Sequence, residues 1–256
     1  MNKKIYIAVI CAFSLLLTVS SGFLIKHYYD SYKQAKIYDS LAEIVDKTPD
    51  DTSEVMNYSG DKTFIPEYQE LYLENNDMVG WLKIEDTKIN YPVMQSKDNP
   101  NFYLKHGFDK KYTNYGCPYV KENCDMEQPS DNIVIYGHNM NDGSMFYALT
   151  KYKSKEFWES HKCITFDTLT DKQNYEVIAA FKTVVYTDNA DSFKYYQFVN
   201  AETAEEFNAY IGKCKELSLY DTGLNAEYGD KLITLSTCEY SRTNGRFVVV
   251  ARLVKE

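Results

Sequence analysis

The chain has 256 residues, 44% of them hydrophobic and 25% charged, an ordinary globular composition that excludes a wholly disordered chain. Six Pro and 11 Gly exclude collagen-like and low-complexity architectures, and a net charge of −9 speaks against a nucleic-acid partner. The length fits one catalytic-size domain plus an appendage.

Residues 1–4 read MNKK, and residues 5–25 carry no charge over 21 positions. As a helix such a run is roughly 30 Å long, enough to cross a bilayer. Lys3 and Lys4 precede it while Lys26 and His27 follow, a modest bias for a cytoplasmic N-terminus. The alternative is a cleaved signal peptide, but its apolar core is normally shorter and no A-x-A-like cleavage site is present. The expectation is a cytoplasmic tail (1–4), an uncleaved signal-anchor (5–25) and an external remainder. Residues 26–47, amphipathic and free of Pro and Gly, predict a helix, and 48–63 predict an acidic linker, so that 26–65 form a stalk. Pro66 opens a predicted short helix over 66–76 and a domain running from 66 to 256.

From Val79 the pattern turns to short runs rich in β-branched and aromatic residues. Strands are expected in 79–84, 88–95, 132–138, 163–169, 174–186, 231–238 and 246–254, with helical stretches at 144–152 and 154–161. The strongest helical pattern is 201–217, where Phe207, Ile211, Cys214 and Leu217 share one face. Asn200 is its expected N-cap, and Glu202, Glu205 and Glu206 suit the dipole at its start. Strands outnumber helices without regular alternation, which favours a mainly β, mostly antiparallel sheet or barrel.

Six cysteines are present. Cys11 lies in the apolar run, which leaves an odd set of Cys117, Cys124, Cys163, Cys214 and Cys238, so at least one thiol is free. Cys117 and Cys124 could pair across a loop. No C-x-x-C or Cys/His spacing predicts a metal site.

The chemistry concentrates in residues 231–254, KLITLSTCEYSRTNGRFVVVARLV, read as strand, loop, strand. Cys238 closes the first strand and Arg246 opens the second. If the strands are antiparallel neighbours, both residues meet at one sheet edge, where a guanidinium favours a thiolate and can donate to an oxyanion. The chain has only three arginines, Arg242, Arg246 and Arg252, against a lysine default. The bland reading is a buried thiol beside a surface cation. A second run, NIVIYGHNM (132–140), ends a strand at His138. Of the four histidines only His138 shares the strand-end setting of Cys238; His27 flanks the apolar run, His106 sits in a Lys-rich loop and His161 precedes a strand. A lone histidine is usually structural, but Cys with a distant His is also the nucleophile and acid/base pair of acyl transfer. A papain-like hydrolase would place its Cys before the His at a helix start. A membrane-anchored binding protein without chemistry is the further alternative.

TLSTC (234–238), the C-x₇-R spacing followed by FVVVARL, and YGHNM with SMF after it together resemble the sortases, Gram-positive cell-surface cysteine transpeptidases. The stretch YPVMQSKDNPNFYL (91–104), the helical N-terminal region and the helix 201–217 resemble class B in particular. The resemblance spans about residues 66–254. It implies an eight-stranded β-barrel with N-terminal helices and a long helix before the Cys strand. It further implies Cys238 as nucleophile, His138 as general acid/base and Arg246 as holder of the substrate backbone and oxyanion. Ser236 and Glu239 would touch substrate or orient Arg246, and Asn99 and Leu104 would line the groove. The implied reaction cleaves a C-terminal sorting motif of surface proteins after Thr, at a Thr–Gly or Thr–Asn bond, and passes the acyl group to an amine of the lipid-linked cell-wall precursor. No metal or cofactor is implied.

Overall fold

The computed structural model describes residues 3–48, 56–59, 62–185 and 193–255. The chain falls into two units, Met1–Ser40 and Leu41–Glu256. Within the first runs most of helix α1 (Lys3–Lys47), the one described helix long and apolar enough to cross a membrane. The large apolar side chains of its uncharged run, among them Phe13, Leu16 and Phe23, are exposed, whereas Tyr38 and Leu41 further along are buried. No residue between 5 and 25 breaks the helix, so the apolar run and the predicted amphipathic segment form one continuous rod.

Within the predicted linker, β1 (Asn57–Ser59) and β2 (Lys62–Thr63) form a small antiparallel pair. Residues 49–55, 60 and 61 lie outside the described residues, as does Tyr186 at the end of a predicted strand. Helix α2 (Pro66–Glu74) begins at proline as expected but stops two residues early. There Asn75 turns extended, and its side-chain amide donates to the Phe108 carbonyl (2.6 Å) and the Tyr103 hydroxyl (3.0 Å).

Eight strands close into a barrel: β3 (Met78–Lys83), β4 (Asn90–Met94), β5 (Tyr119–Val120), β6 (Asn132–Tyr136), β7 (Cys163–Thr168), β8 (Asn174–Val184), β9 (Leu232–Cys238) and β10 (Gly245–Leu253). Their order around the wall is β10-β8-β7-β3-β4-β5-β6-β9, with β9 pairing back to β10. The mainly β, eight-stranded expectation holds. Most pairs are antiparallel; β4 with β5 and β6 with β9 are parallel. The near-continuous apolar runs of β8, β9 and β10 reflect burial on both faces. One face fills the barrel and the other is covered by elements such as α4 (Ala204–Leu217). Phe207, Ile211 and Cys214 of that helix, with Tyr210, pack into a cluster with Ile178 and Phe181 of β8 and Val248 and Val250 of β10. Leu217 packs at the cluster's margin.

Helix α4 starts later than expected, and its N-cap is Thr203, whose hydroxyl accepts from the Glu206 amide at 3.2 Å. Thr203 and Glu206 are spaced as in a capping box, and the Glu206 carboxylate accepts from the Glu202 amide. Asn200 is occupied elsewhere, accepting from the Asp131 amide at 3.0 Å. The stretch expected to be helical from 144 is a 3-10 helix, Phe146–Lys153, followed by α3 (Lys155–Ser160). Cys117 and Cys124 do not pair. Both are buried thiols, the first against the Pro92 carbonyl (3.4 Å), the second against that of Asn132 (3.6 Å).

Candidate active site

Strand register brings the three chemical residues together. Parallel strands β6 and β9 pair Tyr136 with Ser236. Side chains alternate along a strand, so a step of two carries the chain from Tyr136 to His138 and from Ser236 to Cys238, on the same face and at the same level. On the other side of β9, antiparallel β10 sets Arg246 directly opposite Cys238. Cys238 and Arg246 are thus one strand spacing apart, roughly 4.8 Å between backbones, and His138, two residues past the end of β6, lines the same groove as both.

The ends of β6 and β9 are cross-braced. The Gly137 amide donates to the Ser236 carbonyl (3.2 Å) and the Thr237 hydroxyl to the Gly137 carbonyl (2.8 Å). The Asn139 side-chain amide donates to the Cys238 carbonyl at 2.8 Å. Glycine is required at 137, because a Cβ there would lie 2.6 Å from the buried ring of Phe146. Gly245 is equally constrained, since a Cβ would meet the Glu239 carbonyl oxygen at 2.2 Å, and this close approach keeps the loop 239–245 tight.

His138 is half-buried, and its Nε2 lies 2.7 Å from the Leu104 carbonyl oxygen. A carbonyl only accepts, so Nε2 carries the proton and Nδ1 is left as the nitrogen that can exchange one. Burial lowers the imidazole pKa, the Leu104 carbonyl partly restores it, and the Lys105 charge lowers it again. The segment holding that carbonyl is itself fixed. Tyr103 is buried and its hydroxyl donates to Asp77 at 2.7 Å while accepting from Asn75.

A groove of about 540 Å³ runs over these residues. Cys238, His138, Arg246, Ser236 and Leu104 all line it, together with Asn101, Tyr119, Tyr136 and Tyr195. Burial raises the Tyr119 and Tyr195 hydroxyls to about 12 against the opposing pull of Arg246, whose charge is thus felt along the wall. The Ser236 hydroxyl sits 2.6 Å from that of Tyr195, tying the strand of Cys238 to the groove wall. Deeper in β9, Thr234 donates to Asn132 (2.8 Å) and so accepts from the Tyr210 hydroxyl (3.0 Å), which fastens α4 to both site-bearing strands.

Two expected residues stand apart from the groove lining. Asn99 is in the preceding turn, its carbonyl accepting from the Phe102 amide, and Pro100 and Asn101 line the groove in its place. Glu239 is buried on the other side of its loop against Lys153, Lys182 and Ser241. Sequence reasoning did not single out Tyr136, although its two-residue spacing from His138 carried the signal. Tyr119 gave no signal, since its strand is two residues long.

Residues 82–254 match the Sortase domain family. A curated sortase B from Listeria monocytogenes is 37% identical over 190 residues, 73% of this chain and 74% of the relative. The crystal structure of sortase B from B. anthracis superposes with a TM-score of 0.75 at 31% identity, covering 90% of this chain and 100% of that one. The Staphylococcus aureus sortase B-substrate complex does so with a TM-score of 0.74 at 27% identity, covering 89% and 99%.

Proposed function

Because this chain belongs to the sortase family, and within it to class B, we propose that it is a membrane-anchored cysteine transpeptidase that attaches surface proteins to the cell wall. The observation that carries the reading is the register that sets Cys238 opposite Arg246, with His138 lining the same groove. The Cys238 sulfur attacks the carbonyl carbon of the scissile bond, after the Thr of a C-terminal sorting motif. Arg246 donates to the oxygen as it gains negative charge, and a fixed donor at that point lowers the barrier. His138, with Nε2 committed to the Leu104 carbonyl, takes the Cys238 thiol proton on Nδ1 as the sulfur attacks and gives it to the leaving amine nitrogen. The C–N bond breaks and a thioester remains on Cys238. An amine of the lipid-linked wall precursor then attacks the thioester, His138 takes the proton that this amine loses, and the thiolate departs. Nucleophile, proton carrier and oxyanion donor all come from the chain, so the steps call for no cofactor.

The groove suits this task, because Tyr119, Tyr136, Tyr195 and Tyr196 line it together with Cys238. In the same reading, residues 5–25 of α1 span the membrane with the N-terminus inside, residues 26–65 are the stalk, and residues 66–256 form the external catalytic domain. The decisive experiment incubates full-length protein in detergent with a sorting-motif peptide and increasing amounts of an amine or hydroxylamine. Mass spectrometry should find a thioester on Cys238 and an aminolysed product that grows with amine, and Cys238→Ala should form neither. Only hydrolysed acid at every amine concentration would make the protein a peptidase. Protein recovered in the medium with an N-terminus near residue 22 would overturn the anchor.

A further inference from the structure

Glu239 follows the nucleophile directly, yet its carboxylate turns away from the groove. Its side chain is 7% exposed and meets four donors. Oε1 lies 3.3 Å from Lys153 Nζ and 3.2 Å from Lys182 Nζ. Oε2 accepts from the Ser241 amide at 3.1 Å and from the Ser241 hydroxyl. A carboxylate offers about four acceptor positions, so little capacity is left for a substrate. Burial alone would raise this carboxyl; the hydrogen bonds from Ser241, Lys182 and Lys153 outweigh it and hold it down at about 2, ionised under all working conditions.

The partners are placed with purpose. Lys153 ends the 3-10 helix Phe146–Lys153, whose first residue donates its amide to the His138 carbonyl at 2.8 Å and packs its ring on Gly137. Lys182 lies on β8 in register with Phe247, next to the pair Arg246 with Thr183. The Lys153 ammonium also sits 5.8 Å from the centre of the Phe247 ring. Glu239 itself belongs to the loop that leaves Cys238 and returns as Arg246, and its amide donates to the Gly245 carbonyl at 2.9 Å. That same carbonyl accepts from Arg246 Nη1. One carboxylate thus joins the supports of all three reacting side chains.

We propose that Glu239, Lys153 and Lys182 form a positioning knot beneath the active site, which holds the Cys238–Arg246 loop against the His138 support without touching substrate. The assignment rests on the reading of Cys238 and Arg246 as the reacting pair. Loosening the knot lets Arg246 drift from its place opposite Cys238, so the sulfur loses the cation that faces it as it attacks an alkylator.

The test is the rate at which iodoacetamide alkylates Cys238 in the full-length protein in detergent at pH 7. Peptide mass spectrometry separates Cys238 from the exposed Cys163. This rate needs no sorting peptide, so the answer stands whether or not the protein proves to be a transpeptidase. The variants are Glu239→Gln, the double Lys153→Met/Lys182→Met, and each lysine alone. Positioning predicts that Glu239→Gln and the double variant both slow alkylation, by threefold or more. It also predicts that the single lysine variants, each keeping one ion pair, are milder, and that adding the lysine changes to Glu239→Gln does nothing further. Charge acting through space predicts opposite signs, because removing the Glu239 charge favours a thiolate whereas removing lysines disfavours it. Opposite signs would overturn the proposal, as would unchanged rates. If the double variant does not fold, the single lysine variants must still show slowing that vanishes in the Glu239→Gln background. With a sorting peptide, kcat should fall at constant KM. A raised KM for Glu239→Gln beside silent lysine variants would return Glu239 to the substrate.

Discussion

Replacing Arg246 by lysine keeps the charge and removes the fork. In the resting structure one arm is committed, with Nη1 donating to the Gly245 carbonyl at 2.9 Å. The remaining donors of the planar guanidinium stay available to a substrate carbonyl and an oxyanion opposite Cys238. A lysine ammonium at the end of a flexible stem cannot hold the loop carbonyl and meet the oxyanion in one geometry, so one charge-assisted hydrogen bond is lost. Such a bond is worth about 1.5–3 kcal/mol. At about 1.4 kcal/mol per factor of ten, this corresponds to roughly 10- to 150-fold in rate. Losing an oxyanion donor costs on the order of 10²-fold or more, which overlaps the upper part of that range. Arg246→Lys is therefore expected to lose on the order of 10²-fold in kcat, with KM changed far less, because the bond strengthens as charge develops. The assay is turnover of a fluorogenic sorting peptide with saturating amine, at a temperature where both proteins are folded. Arg246→Ala should be similar or worse. Arg242→Lys, inside the loop, and Arg252→Lys, on β10 against Glu176 and the Asn225 carbonyl, should be far milder. An Arg246→Lys enzyme within threefold of the original would show that charge alone suffices. A crippled Arg242→Lys enzyme would show that the wrong arginine has been named.

Three further expectations follow from the geometry. Gly137→Ala forces its Cβ against the buried Phe146 ring; overpacking of this kind costs about 1–3 kcal/mol. At roughly 2–4 °C per kcal/mol, Tm should fall by several degrees, and kcat should fall with it as His138 is displaced; an unchanged Tm would mean that the ring moves freely. The His138 imidazole should titrate by NMR below its ordinary value of about 6.5, and Lys105→Met should raise the midpoint. Its folded value being depressed, the stability His138 contributes is present above about pH 6.5 and lost as pH falls through the lowered midpoint; a midpoint above 6.5 would contradict the burial argument. Cys117, Cys124, Cys163 and Cys214 replaced singly by Ala should keep activity. Cys214→Ala should cost on the order of 1 kcal/mol through its cavity under α4, measured by denaturant unfolding. The Cys214 thiol, pushed up to about 12 by burial, should resist alkylation in the native protein.

The last two strands were the most legible part of the fold. Both are buried on two faces, so their apolar runs are long, and the seven residues between Cys238 and Arg246 leave room only for a tight return that sets them opposite. The partnership of Cys238 with His138 was only suggested, because parallel pairing joins strands through distant chain and leaves no local mark. Strand β5, with two residues, is too short to carry a period. The 3-10 helix Phe146–Lys153 has the composition of an α-helix, so its tighter winding leaves no mark in the residue types. Thr203 and Asn200 are both good caps; which one serves depends on Asp131, whose amide binds the Asn200 side chain from 69 residues away. Asn99 and Asn101 flank one proline, and only the turn decides which faces the groove. The lysines at Glu239 come from distant elements and look like ordinary surface charge until the barrel is closed.

The parallel pairing of β6 with β9 and the insertion of β10 between β8 and β9 also bear on how the protein folds. His138 and Cys238 are 100 residues apart in sequence, so bringing them together closes a long loop, with the entropy cost and high contact order that slow β-barrel folding. Arg246 arrives on the final strand, the one that seals the wall on both of its edges. A chain emerging N-terminus first completes every other strand before Arg246 is available. Until β10 docks, Cys238 has no Arg246 opposite it, so on the proposed reading the site and the barrel wall are completed in the same step.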